Sequence, residues 1–346
     1  MTAWTQLHGL RGRRPICALA DGRVLAFADD VLDRDPRAWL YDPVADACTD
    51  AAEPLWRSSY PCAVVSAEGW VVTAGGTIGP DSIARCALYD PATDRWHAMP
   101  DMPEARRNHE LVLAGGRVHV VGGQLGQDRY LATTWSWAPG EDWRHEPAWP
   151  GAPQYLDACA LDDASLVAWG AHRAGPAYRL HDGRWSELGP VELGACLVAS
   201  PGGLLAIGGE RAESHAEVRA WTATHGWRAR PALPATRTRA SAIRLADGRL
   251  AVLGGQRHGD ELTDSSTGGE LDHEYRSFPQ RLERRPAPCR DLELETATGW
   301  VTVSSPEAFD GSSVLAPQLD GRLVVAPRYR GGAYLWTPPD PTRPAR

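Results

Sequence analysis

The chain has 346 residues, 43% of them hydrophobic, so it can bury a large core. Its formal net charge is −8 and its sequence pI is about 5.8, so no basic face dominates and we expect no nucleic-acid partner. The first residues lack the apolar core of a signal peptide, and no apolar run of about 18 residues follows. These properties predict a cytoplasmic protein with no membrane partner.

The first predicted element is the strand "TAWTQL", which contains Trp4 and has no partner strand beside it in the sequence. The rest of the chain repeats one pattern, a glycine turn followed by an apolar strand that often ends in two glycines. The marker position of the turn is occupied by Gly22, Gly69, Gly116, Ala164, Gly203, Gly248 and Gly321. The first four markers follow one another at intervals of 47, 47 and 48 residues. A fixed period of this kind indicates a repeat architecture.

Each repeat predicts four strands. A strand such as "ELVLA" (110–114) leads to a tight turn in which glycine supplies the positive φ, and "RVHVVGG" (117–123) follows. A third strand ends in a turn such as "YDPATD" (89–94), after which Trp96 starts the fourth, outermost strand. Because no long stretch has helical periodicity, the predicted fold class is all-β.

The order Arg-x-x-His, Gly-Arg-Val, Gly-Gly and Tyr-Asp-Pro-x-Thr-x-x-Trp resembles the kelch repeat. Arg106, His109, Gly122, Tyr89 and Trp96 are among the residues that carry this resemblance. It implies a seven-bladed kelch-type β-propeller that covers residues 1–346 as a single domain. Some repeats depart from the pattern: Cys48 stands where a Trp is expected, the first and last repeats lack the Gly-Gly pair, and only the third keeps Arg-x-x-His.

The last repeat ends at "GAYLWTPP", before any fourth strand, whereas the chain begins with a strand that contains the missing Trp. We therefore expect the strand of Trp4 to complete the last blade, residues 306–338, and to leave the ring without an open end.

The positions of the Trp and Cys residues indicate packing roles rather than catalytic or metal-binding roles. A Trp recurs at the outermost strand of most repeats, namely Trp96, Trp143, Trp185, Trp227 and Trp300. Four cysteines fall on the small-residue innermost strands, namely Cys17, Cys62, Cys159 and Cys196. No Cys-x-x-Cys or His-x-His spacing occurs, so we expect no metal and no cofactor. Copper-radical oxidases share the implied architecture, but only Tyr60, His109 and Tyr155 fall near suitable positions, which is too few ligands.

The segments that enter the innermost strands carry a candidate binding site. In an up-and-down blade these segments lie on the same face as the connections between the second and third strands. They bring arginine and aromatic side chains to one rim of an acidic protein, and the predicted ligand-binding residues are Arg14, Arg57, Tyr60, Arg106, Arg107, His109, Tyr155, Arg237 and Arg239. The planar guanidinium group of arginine pairs with carboxylates and phosphates. The alternative is that these arginines pair with neighbouring Asp or Glu and hold the blades together.

The resemblance implies a binding protein that recognises a protein partner or a small anionic ligand. Arginines at the resembling positions bind acidic peptides in kelch-type ubiquitin-ligase adaptors and a sugar carboxylate in kelch-type sialic acid mutarotases. The alternative is an enzyme of the mutarotase, epimerase or lyase kind, in which Arg237 or Arg239 fixes a carboxylate and His109 or Glu192 moves a proton. We favour the binding protein and expect a monomer of the bacterial kelch type.

One repeat is interrupted by an insertion, residues 256–290, between its second and third strands. We expect this loop to lie over the arginine rim. Glu270, Asp272, His273 and Glu274 are adjacent in it, and we interpret them as part of a solvated acidic lid rather than as metal ligands.

Overall fold

The structure is a computed structural model that describes residues 4–10, 13–28, 37–56, 58, 61–151, 156–170, 174–210, 215–258, 286–309, 313–318, 321–327 and 333–339. Every regular element in these ranges is a β-strand. No helix that could span a membrane occurs in this part of the chain. Most of the strands form seven sheets of four or five strands, which we number as blades 1 to 7, and four short strands form two small hairpins.

Each blade has four main antiparallel strands, which follow the order of the chain in blades 1 to 6. Blade 1 contains Arg13–Ala18, Val24–Ala28, Ala38–Asp42 and Ala47–Ala51. Blade 2 contains Cys62–Val65, Val71–Ala74, Cys86–Asp90 and Arg95–Ala98, and blade 3 contains Glu110–Ala114, Arg117–Val121, Thr134–Trp137 and Arg144–Glu146. Small hairpins leave the second strands of these two blades, with strands Thr77–Ile78 and Asp81–Ser82 in blade 2 and Gln124–Leu125 and Arg129–Tyr130 in blade 3.

The remaining blades follow the same plan. Blade 4 contains Leu156–Ala160, Leu166–Gly170, Gly175–His181 and Arg184–Val191, and blade 5 contains Cys196–Ser200, Gly203–Ile207, Val218–Thr222 and Gly226–Arg230. Blade 6 contains Ser241–Arg244, Leu250–Leu253, Pro286–Thr296 and Gly299–Phe309, with Gln256–His258 paired to its third strand. Blade 7 contains Ser313–Pro317, Leu323–Pro327 and Ala333–Trp336, and Trp4–Leu7 is its outermost strand.

The seven blades form a closed ring. The first strand of each blade contacts the first strands of both neighbouring blades. The predicted closure is confirmed, because Trp4 pairs with Trp336 and Leu7 pairs with Ala333 in an antiparallel ladder. The seven-bladed propeller is therefore established.

Two boundaries differ from the prediction. Gly299–Phe309 is the outermost strand of blade 6, so the closing blade begins at Ser313 rather than at residue 306. Both ends of the predicted insertion 256–290 are strands, and residues 259–285 lie outside the described part of the chain. The strand Gln256–His258 and the first five residues of Pro286–Thr296 were missed, because their pairing is decided by the neighbouring strand and not by local pattern.

The core lies between the blades. Val72 and Leu88 of blade 2 pack with Leu111 and Val120 of blade 3, and each other junction has a cluster of the same kind. The four cysteines predicted for the innermost strands lie on them. Burial raises the pKa of the Cys17, Cys159 and Cys196 thiols to about 12. These thiols are therefore protonated at neutral pH and pack as small apolar groups.

The outer tryptophans connect neighbouring blades. The indole N–H of each donates to a carbonyl oxygen of the preceding blade: Trp96 to Ala52 at 2.8 Å, Trp143 to Pro100 at 2.9 Å, Trp185 to Pro147 at 2.8 Å, Trp227 to Leu188 at 2.7 Å and Trp300 to Pro231 at 3.1 Å. Cys48 takes this position in blade 1, and its thiol donates to the Gly9 carbonyl at 3.0 Å. The substitution of Cys for Trp therefore keeps a donor at the junction of blades 7 and 1.

Candidate functional site at the mouth of the channel

The segments that enter the first strands meet the connections between second and third strands at one end of the ring, which we call the mouth. Arg107 and Gln124 exchange two backbone hydrogen bonds, at 2.9 and 2.8 Å, and Thr238 and Gln256 do the same at 2.9 and 2.8 Å. Gln124 and Gln256 each follow a Gly-Gly pair. The residue after Gly-Gly is thus a mouth position that the sequence analysis did not single out, although the repeat marks it.

Four predicted site residues cannot be assessed from the described part of the chain. It does not include Arg57, Tyr60 or Tyr155, and it includes only the backbone of Arg14. The described candidates are Arg106, Arg107, His109, Arg237 and Arg239, together with Glu192.

Arg106 is a fully buried connection between blades 2 and 3. Its backbone N–H donates to Ile83 of blade 2 at 3.0 Å. Its guanidinium donates to the carbonyls of Gly122 at 2.8 Å and Thr133 at 3.3 Å, and to the Glu104 carboxylate at 3.0 Å. Burial lowers the pKa of Arg106 to about 10, so the group is still charged at neutral pH.

Arg237 makes the equivalent connection between blades 5 and 6. Its backbone N–H donates to His215 of blade 5 at 3.0 Å. Its guanidinium donates to the Gly254 carbonyl at 3.1 Å and to Glu293 at 2.9 Å, and both members of this ion pair are completely buried. The alternative that the arginines hold the blades together therefore accounts for Arg106 and Arg237, whose guanidinium groups are not presented at the mouth.

Arg107 has a different environment from its neighbour. Its side chain is half-buried, and the guanidinium has no hydrogen-bond or ion-pair partner among the described residues. Beside it, Asn108 is exposed, has a positive φ of 51°, and donates to the Gln124 side chain at 3.0 Å. Arg107 is thus a mouth arginine whose guanidinium donors are not used by the described residues.

Arg239 occupies the mouth position in blade 6 that Asn108 occupies in blade 3, and its φ is likewise positive, at 54°. Its backbone N–H donates to the Gly194 carbonyl of blade 5 at 2.6 Å, and its side chain is half-buried. The structure thus places Arg107 and Arg239 on the same face of the ring, in two different blades.

His109 lies between blades 2 and 3. It is buried, and neither ring nitrogen has a hydrogen-bond partner. A Cβ built on Gly75 would lie 2.6 Å from His109 Cε1, and one on Gly123 would lie 2.7 Å from His109 Cβ, so both glycines leave room for this residue. Burial, and then the charge of Arg106, lower the pKa of His109 to about 3, and the imidazole is neutral at pH 7. Glu192 is half-buried in the segment that enters blade 5, and it is not a hydrogen-bond partner of His109.

The mouth also carries exposed apolar side chains. Leu55 lies in the segment that enters blade 2, and Ile78 and Tyr130 lie on the small hairpins of blades 2 and 3; all three are exposed. Ser82 joins these hairpins, because it donates to the Gln124 carbonyl at 3.4 Å and accepts from the Gly126 N–H at 3.1 Å. Within the described residues, no group of three or more His, Cys, Asp or Glu side chains is placed to hold a metal ion.

Comparison with known proteins agrees with this architecture, although no family model matches the chain. It is 27% identical over 177 residues to an F-box/kelch-repeat protein of Arabidopsis thaliana, a match that covers 45% of this chain and 46% of the relative. It is 26% identical over 123 residues to the kelch repeat protein M-T9 of Myxoma virus, covering 34% of this chain and 24% of the relative. It is also 40% identical over 52 residues to the human Kelch-like protein 7, covering 15% and 9%. These kelch-repeat relatives and the seven-bladed fold together support a kelch-repeat propeller.

This kelch propeller spans less than half of the length of these relatives. A solved structure of a fungal alcohol oxidase of the AA5 family, in complex with copper, superposes on 99% of the kelch propeller and 78% of the oxidase, with a TM-score of 0.68 and 14% identity. At this identity the likeness shows the fold alone. The expected cytoplasmic location, monomeric state and bacterial type stay predictions.

Proposed function

We propose that this kelch propeller is a binding protein whose mouth holds an acidic segment of a protein partner or a small anionic ligand. The observation that carries the proposal is the Arg107 guanidinium, which is half-buried at the mouth and has no partner among the described residues. Partly desolvated guanidinium groups attract carboxylates more strongly than fully solvated ones do.

The surroundings of Arg107 favour a protein partner. Leu55, Ile78 and Tyr130 are three of the five exposed large apolar side chains in the described part of the chain, and all three lie at the mouth. Exposed apolar residues that cluster beside a charged group are typical of protein-interaction surfaces. An acidic peptide with apolar neighbours would match both features.

The proposal assigns no proton transfer to His109. A general base works best when its pKa lies near the operating pH, and burial lowers the pKa of His109 to about 3. The ring also packs between two blades instead of opening to the mouth. The alternative of an enzyme with His109 and Glu192 as a proton-transfer pair therefore has less support than binding.

The test compares the adjacent residues Arg106 and Arg107. We expect Arg107→Ala to weaken binding of a fluorescein-labelled oligoglutamate peptide by about tenfold or more, because a hydrogen bond to a charged group is lost. Its melting temperature should stay close to that of the parent. Arg106→Ala should lower the free energy of unfolding by about 3 kcal/mol, because the buried carbonyls and Glu104 lose their donor. Fluorescence anisotropy and thermal unfolding measure the two effects.

Three controls accompany this comparison. Arg239→Ala tests the second mouth arginine, and Arg95→Ala removes an exposed arginine from the outermost strand of blade 2. Parent binding should weaken as salt rises, because part of the attraction is screened. If Arg107→Ala and Arg239→Ala both bind the acidic peptide as the parent does, or if an oligolysine peptide binds equally well, the proposed site is wrong.

A further inference from the structure

The outermost strand of blade 6 is an unusually long open edge. Gly299–Phe309 has 11 residues, whereas the outermost strands of the other blades have between 3 and 8. It pairs regularly with the third strand from Gly299 to Ser304, after which the register shifts and Phe309 pairs with Cys289. No described strand pairs with its outer side. Unpaired N–H and C=O groups on such an edge can accept another strand.

The first part of this edge also lacks the charges and prolines by which proteins usually prevent strand addition. Its first seven residues, "GWVTVSS" (299–305), carry no charge, and Pro306 comes only after them. The one charged residue of the blade 6 strand, Glu307, follows Pro306, whereas no other outermost strand has an uncharged stretch of more than four residues. Val301 is 38% exposed on the blade 6 edge. The long strand is therefore both accessible and rich in β-branched residues, which favour pairing.

A cleft lies at the end of the edge where the strand begins. Its volume is about 340 Å³, and Gly299, Trp300, Arg230 and Pro231 lie around it, with Leu205 and Leu250 beneath. A cleft of this size accommodates one or two side chains of a peptide. An added strand that runs along Trp300–Ser304 would thus reach the cleft at one end.

Arg230 and Glu295 both line the cleft, and Arg228 lies two residues before Arg230 on the outermost strand of blade 5. Arg228 and Arg230 pair with Ala220 and Val218 in the neighbouring strand of blade 5, and those residues pack against blade 6. Both arginines therefore face the junction of the two blades. Arg230 forms an ion pair with Glu295 at 2.9 Å, whereas Arg228 is exposed and has no ion-pair partner among the described residues. An acidic residue of a bound strand would complement these arginines.

We propose that the blade 6 edge binds an extended segment of a partner protein as an added β-strand, with an acidic residue of that segment beside Arg228 and Arg230. Backbone hydrogen bonds to the uncharged edge would supply affinity, and the cleft and its arginines would select the side chains. This surface lies on the outer rim of the ring and is separate from the mouth, so its failure would leave the proposed function untouched.

The test uses a synthetic, fluorescein-labelled peptide, TVTVTVEE, and the same peptide with N-methylated alternate residues, which cannot form a β-ladder. We expect the first to bind the full chain and the second to bind at least about tenfold more weakly. The double substitution V301K/S304K should weaken binding by a similar factor, because charge on an edge opposes strand addition. V44K is the matched control, since Val44 is an exposed valine in blade 1.

The charge reversal R228E tests the acidic residue. It should remove the preference for TVTVTVEE over TVTVTVKK, whereas the control R95E should keep that preference. Thermal unfolding checks that every variant is folded. The proposal is overturned if neither peptide binds, if the N-methylated peptide binds equally well, or if V301K/S304K has no effect. It is also overturned if light scattering shows that the edge joins two copies of this chain and V301K/S304K separates them.

Discussion

Asp46 is the residue that fastens the start of the chain to blade 1. Its carboxylate accepts hydrogen bonds from the backbone N–H groups of His8 and Gly9, both at 2.9 Å, and from the Tyr41 hydroxyl at 2.9 Å. Burial raises the pKa of Asp46, but the backbone hydrogen bonds from Gly9 and His8 outweigh burial, and the pKa lies below its ordinary value of 3.8. The ionised carboxylate therefore stabilises the junction of blades 7 and 1.

A carboxyl group whose pKa is lower in the folded state stabilises the protein above the unfolded pKa, and this contribution is lost as the pH falls through the folded pKa. We expect Asp46→Asn to lower the melting temperature at neutral pH and to reduce the further loss of stability below about pH 4. Thermal unfolding between neutral and acidic pH measures this. The control is Asp50→Asn, which removes the same charge at an exposed position and should leave the loss of stability at acidic pH as it is in the parent. If the melting temperature of D46N depends on pH as that of the parent does, the prediction is contradicted.

Sequence analysis at the residue scale identified the arginines near the mouth but did not separate their roles. Arg106 and Arg107 are adjacent and of the same type, yet the first is fully buried and hydrogen-bonded, whereas the second is half-buried and its guanidinium has no partner among the described residues. The difference arises from Gly122, Thr133 and the neighbouring blade, which reach Arg106 only in the assembled ring.

At the scale of the strand, the outer tryptophan is the feature that blades 2 to 6 use to contact the preceding blade. The sequence predicted a packing role for these residues from their recurrence. It did not predict the hydrogen bond from the indole N–H to the preceding blade, because its acceptor lies about one repeat earlier in the chain, as Ala52 does for Trp96. Cys48, which departs from the pattern, donates to the equivalent acceptor in the same way.

We expect Trp96→Phe to lower the free energy of unfolding by about 1 kcal/mol more than Trp169→Phe does, because the hydrogen bond to Ala52 is lost in addition to ring volume. The indole N–H of Trp169 is buried without a partner in the described structure, so it serves as the matched control. Urea unfolding of the two variants and the parent measures the difference. Equal losses would show that the Trp96 N–H contributes nothing beyond packing.

Other strands could not be predicted from the sequence pattern. The small hairpins of blades 2 and 3 have strands of two residues each, too short for alternation to be recognised. The blade 6 hairpin has strands of 11 residues. The first five residues of its first strand, 286–290, lie within the predicted insertion, where composition resembles a loop.

At the scale of the whole molecule, the ring depends on the pairing of the two ends of the chain. Trp4–Leu7 pairs with Ala333–Trp336, and the ring centroids of Trp4 and Trp336 lie 6.0 Å apart. Without this strand, the third strand of blade 7 would be left as an edge with its apolar face uncovered.

We expect deletion of residues 1–8 to lower the melting temperature by about 5 °C or more, because a whole strand and its aromatic contacts are lost. The double substitution T5A/Q6A is the control, since both side chains are exposed and the backbone ladder is kept. Differential scanning calorimetry measures both. An unchanged melting temperature after the deletion would contradict the role of this strand in closure.

The sequence by itself determined the class of fold, the number of blades and the closure by the first strand. These follow from glycine turns, apolar strands and a fixed period, all of which are local properties that repeat along the chain. Only the tertiary structure decided which arginines are buried, where His109 lies and which strand edge stays open. Each of these depends on contacts with a neighbouring blade, so two adjacent residues of the same type, such as Arg106 and Arg107, differ only once the blades have packed.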